Sequence, residues 1–480
     1  MSSCNDLEDC LDQITLSVQN DSTLSFDIPP QYYNKTIAVL TYGCAHNQAD
    51  SELIMGVLSA AGFNVLDINP KTNYSDAFAA DCVVVNGCVV VDVSENSFFR
   101  AVREAKERHQ PVVVAGCVAQ TNHKDPRLSH TCNIGTDGQV EVANAVVAAM
   151  EGREFKVTKR RSKKSVLEAL DTCGNPLSLP SRRRNPFIEI LPICQGCLSH
   201  CTYCKTRLAR GGLVSFPKKS IISRVVDACL RGAVEIYLTG EDTFCYGKDF
   251  DFEYDIVDLL LELLDSIKNF NCRIRIGHSN PQHVLPLISK IKSTGLFKHP
   301  NLFRFLHLPL QSGSQSVLID MKRDHDVTMW KDAALALTEE GVSITTDIIV
   351  GYPTETRRDH LDTLSVLDSI KPTMTNLTQF FPRPGTPAAK LKRVPADEVK
   401  RRSKEIHNWL TLLDPFSKYL NTCISCFVYG KAHDGVKTAC HSIEFIQVLV
   451  EGNYEPGQKL IVLITDCSRW HLKGRVVENS

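Results

Sequence analysis

The sequence lacks the features that direct a chain to a membrane or an organelle. Residues 1–33 contain six acidic residues and no lysine or arginine, the reverse of the Arg-rich, acid-poor composition of an organellar transit peptide. No apolar core of a secretory signal lies near the start, and no apolar run approaches the length of a membrane span. We therefore expect a cytoplasmic protein without a membrane anchor.

A dominant charge and internal repeats are also missing. The formal net charge is -1, which argues neither for nor against a nucleic-acid partner. Hydrophobic residues make up 43% and charged residues 23% of the 480 positions, values typical of a soluble globular protein with more than one domain.

Cysteine, in contrast, is abundant, with 19 residues. Because no secretory signal is present, we expect reduced thiols, which favours metal or redox roles over disulfides. Cys82, Cys229 and Cys272 lie within apolar strand or helix patterns and are expected to be ordinary core residues.

The first domain is predicted over residues 34–150, after an acidic extension at residues 1–33. Strand and helix patterns alternate there, which predicts an α/β fold, a doubly wound domain with a parallel sheet. The predicted strands are 35–42, 82–86 and 112–115, and the predicted helices are 51–61, 94–109 and 139–150.

Residues 151–185 are predicted to form a basic linker. Positions 156–184 hold nine basic and two acidic residues, a local charge of +7. Such a run is either a solvated segment or a contact for phosphates. The candidate phosphate contacts are Arg160, Arg161, Lys163, Lys164, Arg182, Arg183 and Arg184.

Six βα units over residues 186–415 predict a partial (β/α)6 barrel with its chemistry at the carboxyl ends of the strands. The predicted strands are 187–193, 235–239, 273–277, 304–310, 344–350 and 376–380. The predicted helices between them are 218–233, 255–268, 281–293, 330–340 and 359–370.

A long helix over residues 396–420 is predicted to lead out of this barrel. Short β patterns then predict a small C-terminal β-barrel over residues 416–480, a fold often used on nucleic acid. The predicted strands are 426–429, 443–450, 459–465 and 472–477.

The strongest chemical signal is the loop Cys197-Leu-Ser-His-Cys201-Thr-Tyr-Cys204, which follows the first predicted barrel strand. Three thiolates on a short loop can hold three irons of a 4Fe–4S cluster and leave the fourth iron open. The spacing and the aromatic Tyr203 resemble radical S-adenosylmethionine (SAM) enzymes, in which SAM chelates the open iron. The alternative is structural zinc with Cys194 or His200 as fourth ligand, but zinc sites usually pair C-x2-C motifs.

Further ends of predicted barrel strands resemble segments that contact SAM in radical SAM enzymes. Gly240-Glu241 ends the second strand, and the segments 275–281 and 347–355 end the third and fifth. The cofactor-binding candidates are Tyr203, Gly240, Glu241, Arg275, Ser279, Gln311, Asp347 and Gly351.

A second set of cysteines, Cys44, Cys88 and Cys117, is dispersed in sequence, but each follows a predicted strand of the first domain within a Gly-Cys pair. The carboxyl ends of such strands lie along one edge of a doubly wound sheet, where ligands bind. The set is either a second cluster site or three unrelated small residues in tight turns. The repeated Gly-Cys setting favours a second cluster with an open iron.

The chain resembles the radical SAM tRNA methylthiotransferases over residues 35–478. The segments 42–52, 308–314 and 381–387 are similar to signatures of that family. The Cys-Lys-Thr-x-x-Ala-Arg-Gly form at 204–211 is similar to the archaeal and eukaryotic MtaB branch, which acts on N6-threonylcarbamoyladenosine next to the anticodon. The MiaB branch, which acts on isopentenyladenosine, typically has a Val-x-Pro-x-x-Arg-Gly form there.

The resemblance implies a radical SAM barrel, a C-terminal TRAM β-barrel and two 4Fe–4S clusters, on Cys44, Cys88 and Cys117 and on Cys197, Cys201 and Cys204. One SAM would methylate sulfur at the N-terminal cluster. A second SAM would give a 5′-deoxyadenosyl radical that abstracts hydrogen from carbon 2 of the adenine, where the methylthio group is then placed. The implied partners are the anticodon stem-loop of tRNA and an electron donor such as a flavodoxin-type reductase, with the chain acting as a monomer.

Two departures from the family pattern accompany these expectations. The family usually has Asn-Thr-Cys-Thr-Val around the second N-terminal cysteine, where this chain has Asn86-Gly-Cys-Val-Val90. Animal relatives carry a C-terminal membrane anchor that this sequence lacks, so membrane attachment is not carried over.

The alternatives to this function are a methylthiotransferase acting on isopentenyladenosine or on a ribosomal protein, and a non-catalytic tRNA-binding protein.

Overall fold

The fold is given by a computed structural model that describes residues 26–90, 92–160, 176–249, 254–432 and 434–479. The chain forms two compact units. The first unit contains the described residues up to Arg184 together with 216–231, and the second contains 185–215 and the described residues from Gly232 onward. Within these ranges no helix combines the length and the apolar character needed to cross a membrane.

The first unit is built on a parallel sheet of six strands in the order β2-β1-β3-β4-β5-β6. Its central valine-rich strands are buried, as expected for a sheet covered on both faces. The strands are β1 (Thr36–Tyr42), β2 (Asn64–Ile68), β3 (Cys82–Gly87), β4 (Val112–Ala115), β5 (Cys132–Ile134) and β6 (Lys156–Val157). The helices are α1 (Ala45–Ala60), α2 (Asp92–Glu107), α3 (Gly116–Thr121) and α4 (Val142–Met150).

This arrangement confirms the predicted doubly wound α/β fold, with two differences in its elements. Helix α1 begins at Ala45, six residues before the predicted start, because its first turns bury the polar residues His46, Asn47 and Asp50 and so break the apolar pattern. The sequence prediction also missed β2, β5 and β6. Strands β5 and β6 have only three and two residues, too few to show a period.

Three arginines of the predicted basic linker bind groups of the first unit itself. The Arg182 guanidinium donates to the Val65 carbonyl, and the Arg183 guanidinium donates to the Ala228 carbonyl. The Arg184 guanidinium donates to the Asp67 carboxylate. These contacts give the trio a structural role, and a phosphate contact of the same arginines stays a prediction. Arg161, Lys163 and Lys164 lie outside the described residues.

The second unit begins with six parallel strands in two three-stranded sheets, β7-β10-β11 and β12-β13-β14. Parallel bridges from Ile274 to Leu302 and from His278 to His307 connect the two sheets. This arrangement confirms the predicted partial barrel. The strands are β7 (Ile188–Pro192), β10 (Glu235–Thr239), β11 (Arg273–Arg275), β12 (Phe305–His307), β13 (Ser343–Val350) and β14 (Met374–Gln379), with the short pair β8 (Cys194–Gln195) and β9 (Val214–Ser215) after β7.

Helices lie between the barrel strands, and one of them differs from the prediction. The helix expected over residues 281–293 is divided by a 3-10 turn at Leu285–Leu287, because Pro286 cannot donate the backbone hydrogen bond of a continuous helix. The helices are α5 (Thr206–Arg210), α6 (Lys218–Leu230, in the first unit), α7 (Ile256–Ser266), α8 (Pro281–Val284), α9 (Ile288–Thr294), α10 (Gln315–Asp320), α11 (Val327–Glu339), α12 (Arg357–Ile370) and α13 (Ala396–Leu413).

The C-terminal segment forms a closed barrel of five strands in the order β15-β16-β17-β19-β18, which confirms the predicted small β-barrel. The predicted strand 443–450 begins too early, because residues 443–446 form a turn with Phe445 at a positive φ of 62°, and the strand covers only Gln447–Val450. The predicted helix 396–420 is also too long, because Asp414 adopts a left-handed conformation after Leu413. The strands are β15 (Cys423–Lys431), β16 (Thr438–Ser442), β17 (Gln447–Val450), β18 (Lys459–Cys467) and β19 (Leu472–Asn479).

The β16–β17 turn packs against the amino-terminal half of the (β/α)6 barrel. The Phe445 ring stacks on His441 at 4.2 Å and meets the rings of Tyr237 and Phe303 edge-on at 5.5 and 5.0 Å. His441 also contacts the buried Glu235 carboxylate at 2.9 Å. These contacts occupy the end of the barrel opposite the carboxyl ends of its strands.

Candidate active site

The three N-terminal cysteines lie at the carboxyl ends of three neighbouring strands. Strands β1, β3 and β4 are adjacent in the sheet, with Tyr42 in register with Gly87, and Gly87 bridges Gly116. Cys44, Cys88 and Cys117 each follow one of these strand ends. The structure therefore brings the three residues of the predicted second cluster site to one edge of the sheet.

Asn47 in the first turn of α1 contacts two of the three cysteines, Cys44 and Cys117. The Cys44 thiol donates to the Asn47 side-chain oxygen at 3.3 Å, and the Asn47 amide donates to the Cys117 sulfur at 3.9 Å. Cys44 also contacts the Cys88 thiol, and this contact together with burial raises the pKa of Cys88. A neighbouring network holds Asn47 in place, because the buried Asn86 amide donates to its carbonyl at 2.8 Å.

The donor set fits a cluster with one open iron. Cys88 and Cys117 are buried and Cys44 is exposed, so the site is accessible to solvent on the side of Cys44. A buried thiol whose pKa is raised becomes a thiolate only when a cation offsets the charge, which iron supplies. Sequence reasoning identified the cysteines but not Asn47, whose amide reaches them from the following helix.

Gly43 allows this close approach, and its replacement gives a first prediction. The residue has a φ of +147°, and a Cβ atom there would lie 2.5 Å from the Cys88 Cβ. Gly43→Ala is expected to cost about 3 kcal/mol through strain and overlap. In the apo protein we expect the melting temperature of the first unit to fall by about 6–12 °C.

Gly152→Ala is the matched control, because this glycine also has a positive φ of 66° but nothing lies within 4 Å of its Cβ position. The control is expected to lose about 1 kcal/mol from backbone strain alone. Equal losses of melting temperature in the two variants would show that the approach of Gly43 to Cys88 is not tight.

The three barrel cysteines lie on the loop after β8, at the carboxyl end of the barrel. The Arg207 guanidinium of α5 donates to the carbonyls of Cys197 at 2.8 Å and Leu198 at 2.9 Å. The Thr202 amide donates to the Met321 carbonyl at 2.9 Å. The loop is thereby fixed from both sides, and all three cysteines are partly exposed on it.

Burial shapes the electrostatics of this loop. It raises the pKa of Cys197 to about 12, with the nearby Asp242 acting in the same direction, and it raises the pKa of Cys204. Neutral thiols are therefore favoured unless cationic iron lies beside them. Three cysteines with this spacing on one loop fit a 4Fe–4S cluster.

A polar chain that sequence reasoning missed leads from the barrel interior to this loop. The Arg323 guanidinium donates to the Cys201 sulfur at 3.4 Å through Nη1 and to the Asn280 side-chain oxygen at 2.6 Å through Nη2. The Asn280 amide donates to the buried Asp242 carboxylate at 2.8 Å, and His283 contacts the same carboxylate at 2.7 Å. Burial alone would lower the pKa of Arg323, but Tyr203 and Cys201 raise it overall.

The Gly240-Glu241 pair supports the cysteine loop. One Glu241 oxygen accepts from the Gly196 amide at 2.7 Å, and the other lies 3.4 Å from the buried Arg210 guanidinium. A Cβ atom on Gly240 would lie 2.7 Å from the Cys194 sulfur. Both candidates therefore lie at the predicted place, and the Glu241 carboxylate orients the loop.

The remaining candidates have different surroundings. Ser279 is buried at the carboxyl end of the barrel, where its hydroxyl contacts that of Thr243 at 3.0 Å. The Arg275 guanidinium lies among the rings of Tyr237, Phe305 and Phe445, at 5.6, 4.9 and 5.0 Å, and burial lowers its pKa. These rings lie toward the amino-terminal half of the barrel, so they give the predicted SAM contact of Arg275 no support.

Gln311, Gly351 and Tyr203 are fixed by local structure. Gln311 has a φ of +71°, and its backbone joins β13 through hydrogen bonds with the Asp347 carbonyl and the Ile349 amide. The Gly351 amide donates to Glu355 at 2.8 Å. Tyr203 packs on the buried cluster that includes Met321.

Asp347 points into the barrel between two histidines. Its Oδ1 lies 2.9 Å from His307 Nε2 and accepts from the Asn376 amide at 2.9 Å, and its Oδ2 lies 3.9 Å from His278 Nε2. Burial lowers the pKa of His278 to about 4, and His307 acts in the same direction. The three groups offer atoms within 4.8 Å of one another that suit a cation, but the hydrogen bonds to His307 and Asn376 account for the arrangement without one.

Two family models match the parts of the chain that contain the two sets of three cysteines. A model described as "Uncharacterized protein family UPF0004" matches residues 36–134, and a model of the radical SAM superfamily matches residues 191–367. A solved structure of the radical SAM methyltransferase TsrM from Kitasatospora setae has a TM-score of 0.51 and 13% identity, covering 74% of this chain and 75% of that one. This likeness concerns the fold.

Curated relatives match almost the whole described chain. Threonylcarbamoyladenosine tRNA methylthiotransferases from Drosophila melanogaster and Homo sapiens are each 34% identical over 92% of this chain, which covers 78% and 74% of those proteins. A probable enzyme of the same name from Pyrococcus horikoshii is 34% identical over 83% of this chain and 90% of that protein. These matches confirm the resemblance found in the motifs, and the chain belongs to the family of threonylcarbamoyladenosine tRNA methylthiotransferases.

Proposed function

We propose that this protein transfers a methylthio group to carbon 2 of N6-threonylcarbamoyladenosine in tRNA, with SAM and two 4Fe–4S clusters. The observation that carries the proposal is the pair of three-thiol sites, one in each unit, in a chain of this family. The barrel site alone would suit a simpler radical reaction. Insertion of sulfur calls for a second sulfur-bearing centre.

In the second unit, Cys197, Cys201 and Cys204 would hold the barrel cluster. When bound, this cluster supplies the electron that cleaves SAM to methionine and a 5′-deoxyadenosyl radical, which can attack a C–H bond that acid–base chemistry leaves inert. Arg207 and Glu241 hold the loop in shape for that cluster. Four further candidates lie near the carboxyl ends of the strands, where barrel enzymes bind their ligands. They are Ser279, Asp347, Gln311 and Gly351.

In the first unit, Cys44, Cys88 and Cys117 would hold the cluster at which the methylthio group is assembled. The exposed Cys44 lies on the side from which SAM and the adenosine can approach, and the buried Cys88 and Cys117 close the opposite side. Asn47 would hold Cys44 and Cys117 in position through its side-chain oxygen and amide.

The proposal also covers how the protein binds tRNA and receives electrons. The closed five-stranded barrel belongs to a class of folds used on nucleic acid and would bind the tRNA stem next to the anticodon. A flavodoxin-type reductase would supply electrons, and the chain would act as a cytoplasmic monomer. Arg160, Arg182, Arg183 and Arg184 are the described candidates of the basic linker for phosphate contacts.

The test is nucleoside analysis of tRNA after reaction with reconstituted protein, SAM and a reductant. We expect 2-methylthio-N6-threonylcarbamoyladenosine from tRNA that carries threonylcarbamoyladenosine, and no product from tRNA that carries isopentenyladenosine. Product only from isopentenyladenosine would move the chain to the other tRNA branch. A mass increase on a ribosomal protein, with tRNA unchanged, would contradict the proposal.

A further inference from the structure

We infer that Arg323 is a positioning residue that tunes the reduction potential of the barrel cluster through a hydrogen bond to the Cys201 sulfur. The inference rests on the proposed function in one respect, namely that Cys197, Cys201 and Cys204 hold a 4Fe–4S cluster. It adds a residue whose role no motif indicates, and which reaches the loop from the turn after α10.

The geometry supports a specific contact. Arg323 Nη1 lies 3.4 Å from the Cys201 sulfur, and the neighbouring Nη2 is held at 2.6 Å by the Asn280 side chain. Asn280 is in turn held by Asp242, which is completely buried. Because Asp242 and Asn280 fix the guanidinium at Nη2, its Nη1 has a defined orientation toward the Cys201 sulfur.

An unused donor points to a further ligand. Arg323 Nε is buried and has no hydrogen-bond partner among the residues that the structure describes. A buried donor without a partner is costly, and such a group usually has a partner that the protein alone does not supply. The sulfides of a cluster on the adjacent cysteines, or the carboxylate of SAM on its open iron, would be such an acceptor.

The consequence for the cluster follows from charge. Reduction adds one negative charge, and a cationic donor beside a ligand sulfur stabilises the reduced state more than the oxidised state. Hydrogen bonds to the sulfurs are among the factors that set cluster potentials. Arg323 therefore raises the potential and makes the reduced cluster, which cleaves SAM, easier to populate.

The experiment is a potentiometric titration followed by electron paramagnetic resonance. The background is the full chain with Cys44, Cys88 and Cys117 replaced by alanine. In this background only the barrel cluster contributes to the resonance signal. Adding Arg323→Gln is expected to reduce the ratio of reduced to oxidised cluster at a fixed potential about tenfold, a shift of about 59 mV to more negative potential for one electron.

Three further variants sharpen the test. Arg323→Lys keeps the charge and is expected to shift the potential less, and Asn280→Ala releases Arg323 and is expected to shift it in the same direction as Arg323→Gln. Lys322→Gln removes the neighbouring exposed charge and is expected to leave the potential unchanged, because solvent screens that charge. Asn280→Ala also covers the case in which Arg323→Gln does not fold.

The outcomes separate the inference from the function. If Arg323→Gln retains its iron and its potential equals that of the background, the inference is wrong. A loss of SAM affinity with an unchanged potential would instead make Arg323 a SAM contact and would also overturn it. If the background binds no iron at all, the barrel cysteines hold no cluster, and both the proposed function and the inference are wrong.

Discussion

Replacing Cys197, Cys201 and Cys204 by alanine is expected to reduce both 5′-deoxyadenosine formation and methylthiolation to the background of the assay. The three cysteines lie on one loop held by Arg207. Without them the open iron that SAM needs has no support. Anaerobic turnover, with quantification of 5′-deoxyadenosine and modified nucleoside, measures both losses.

Cys229→Ala is the matched control for this prediction. Cys229 is a buried residue of α6, and its loss removes one sulfur without touching either three-cysteine set. We expect the control to retain cluster content and turnover. Substantial 5′-deoxyadenosine from the triple variant would contradict the assignment of the loop.

Replacing Cys44, Cys88 and Cys117 is expected to separate the two halves of the chemistry. The variant should lose the methylthio product completely, because no second cluster remains to carry the group. SAM cleavage should continue, because the barrel loop lies in the other unit. The measurement compares 5′-deoxyadenosine with 2-methylthio nucleoside in the same reaction.

Cys82→Ala and Cys132→Ala serve as controls in the first unit. Both residues are buried in the sheet core and neither follows a strand end of the cluster edge. Their loss should lower stability but leave the product ratio unchanged. If the triple variant still made the methylthio product, the N-terminal cysteines would not be the sulfur-bearing centre.

The fold and the cysteines could be predicted because their signals are local or follow a general rule. Strands 112–115 and 235–239 match the structure residue for residue, since short valine-rich or alternating runs have clear ends. The N-terminal cysteines were found by the rule that parallel strands present their carboxyl ends at one edge. No such rule exists for Asn47, whose contact with Cys117 joins residues 70 positions apart.

Other features that the sequence did not predict have identifiable causes. Arg323 contacts Cys201 across 122 positions, and a single arginine in a polar turn carries no periodic signal. Arg275 is close to the rings of Tyr237 and Phe445, which its sequence neighbours do not indicate, and its SAM contact stays a prediction. The early end of α13 was signalled by Pro415, because the residue before a proline disfavours helical geometry.

The most direct test of the central claim is the iron and labile sulfide content of anaerobically purified protein. The account predicts roughly eight irons per chain for the wild type and about four for each of the two triple-cysteine variants. A wild type with about four irons, together with an N-terminal triple variant that loses none, would contradict the second cluster and with it the sulfur-insertion chemistry.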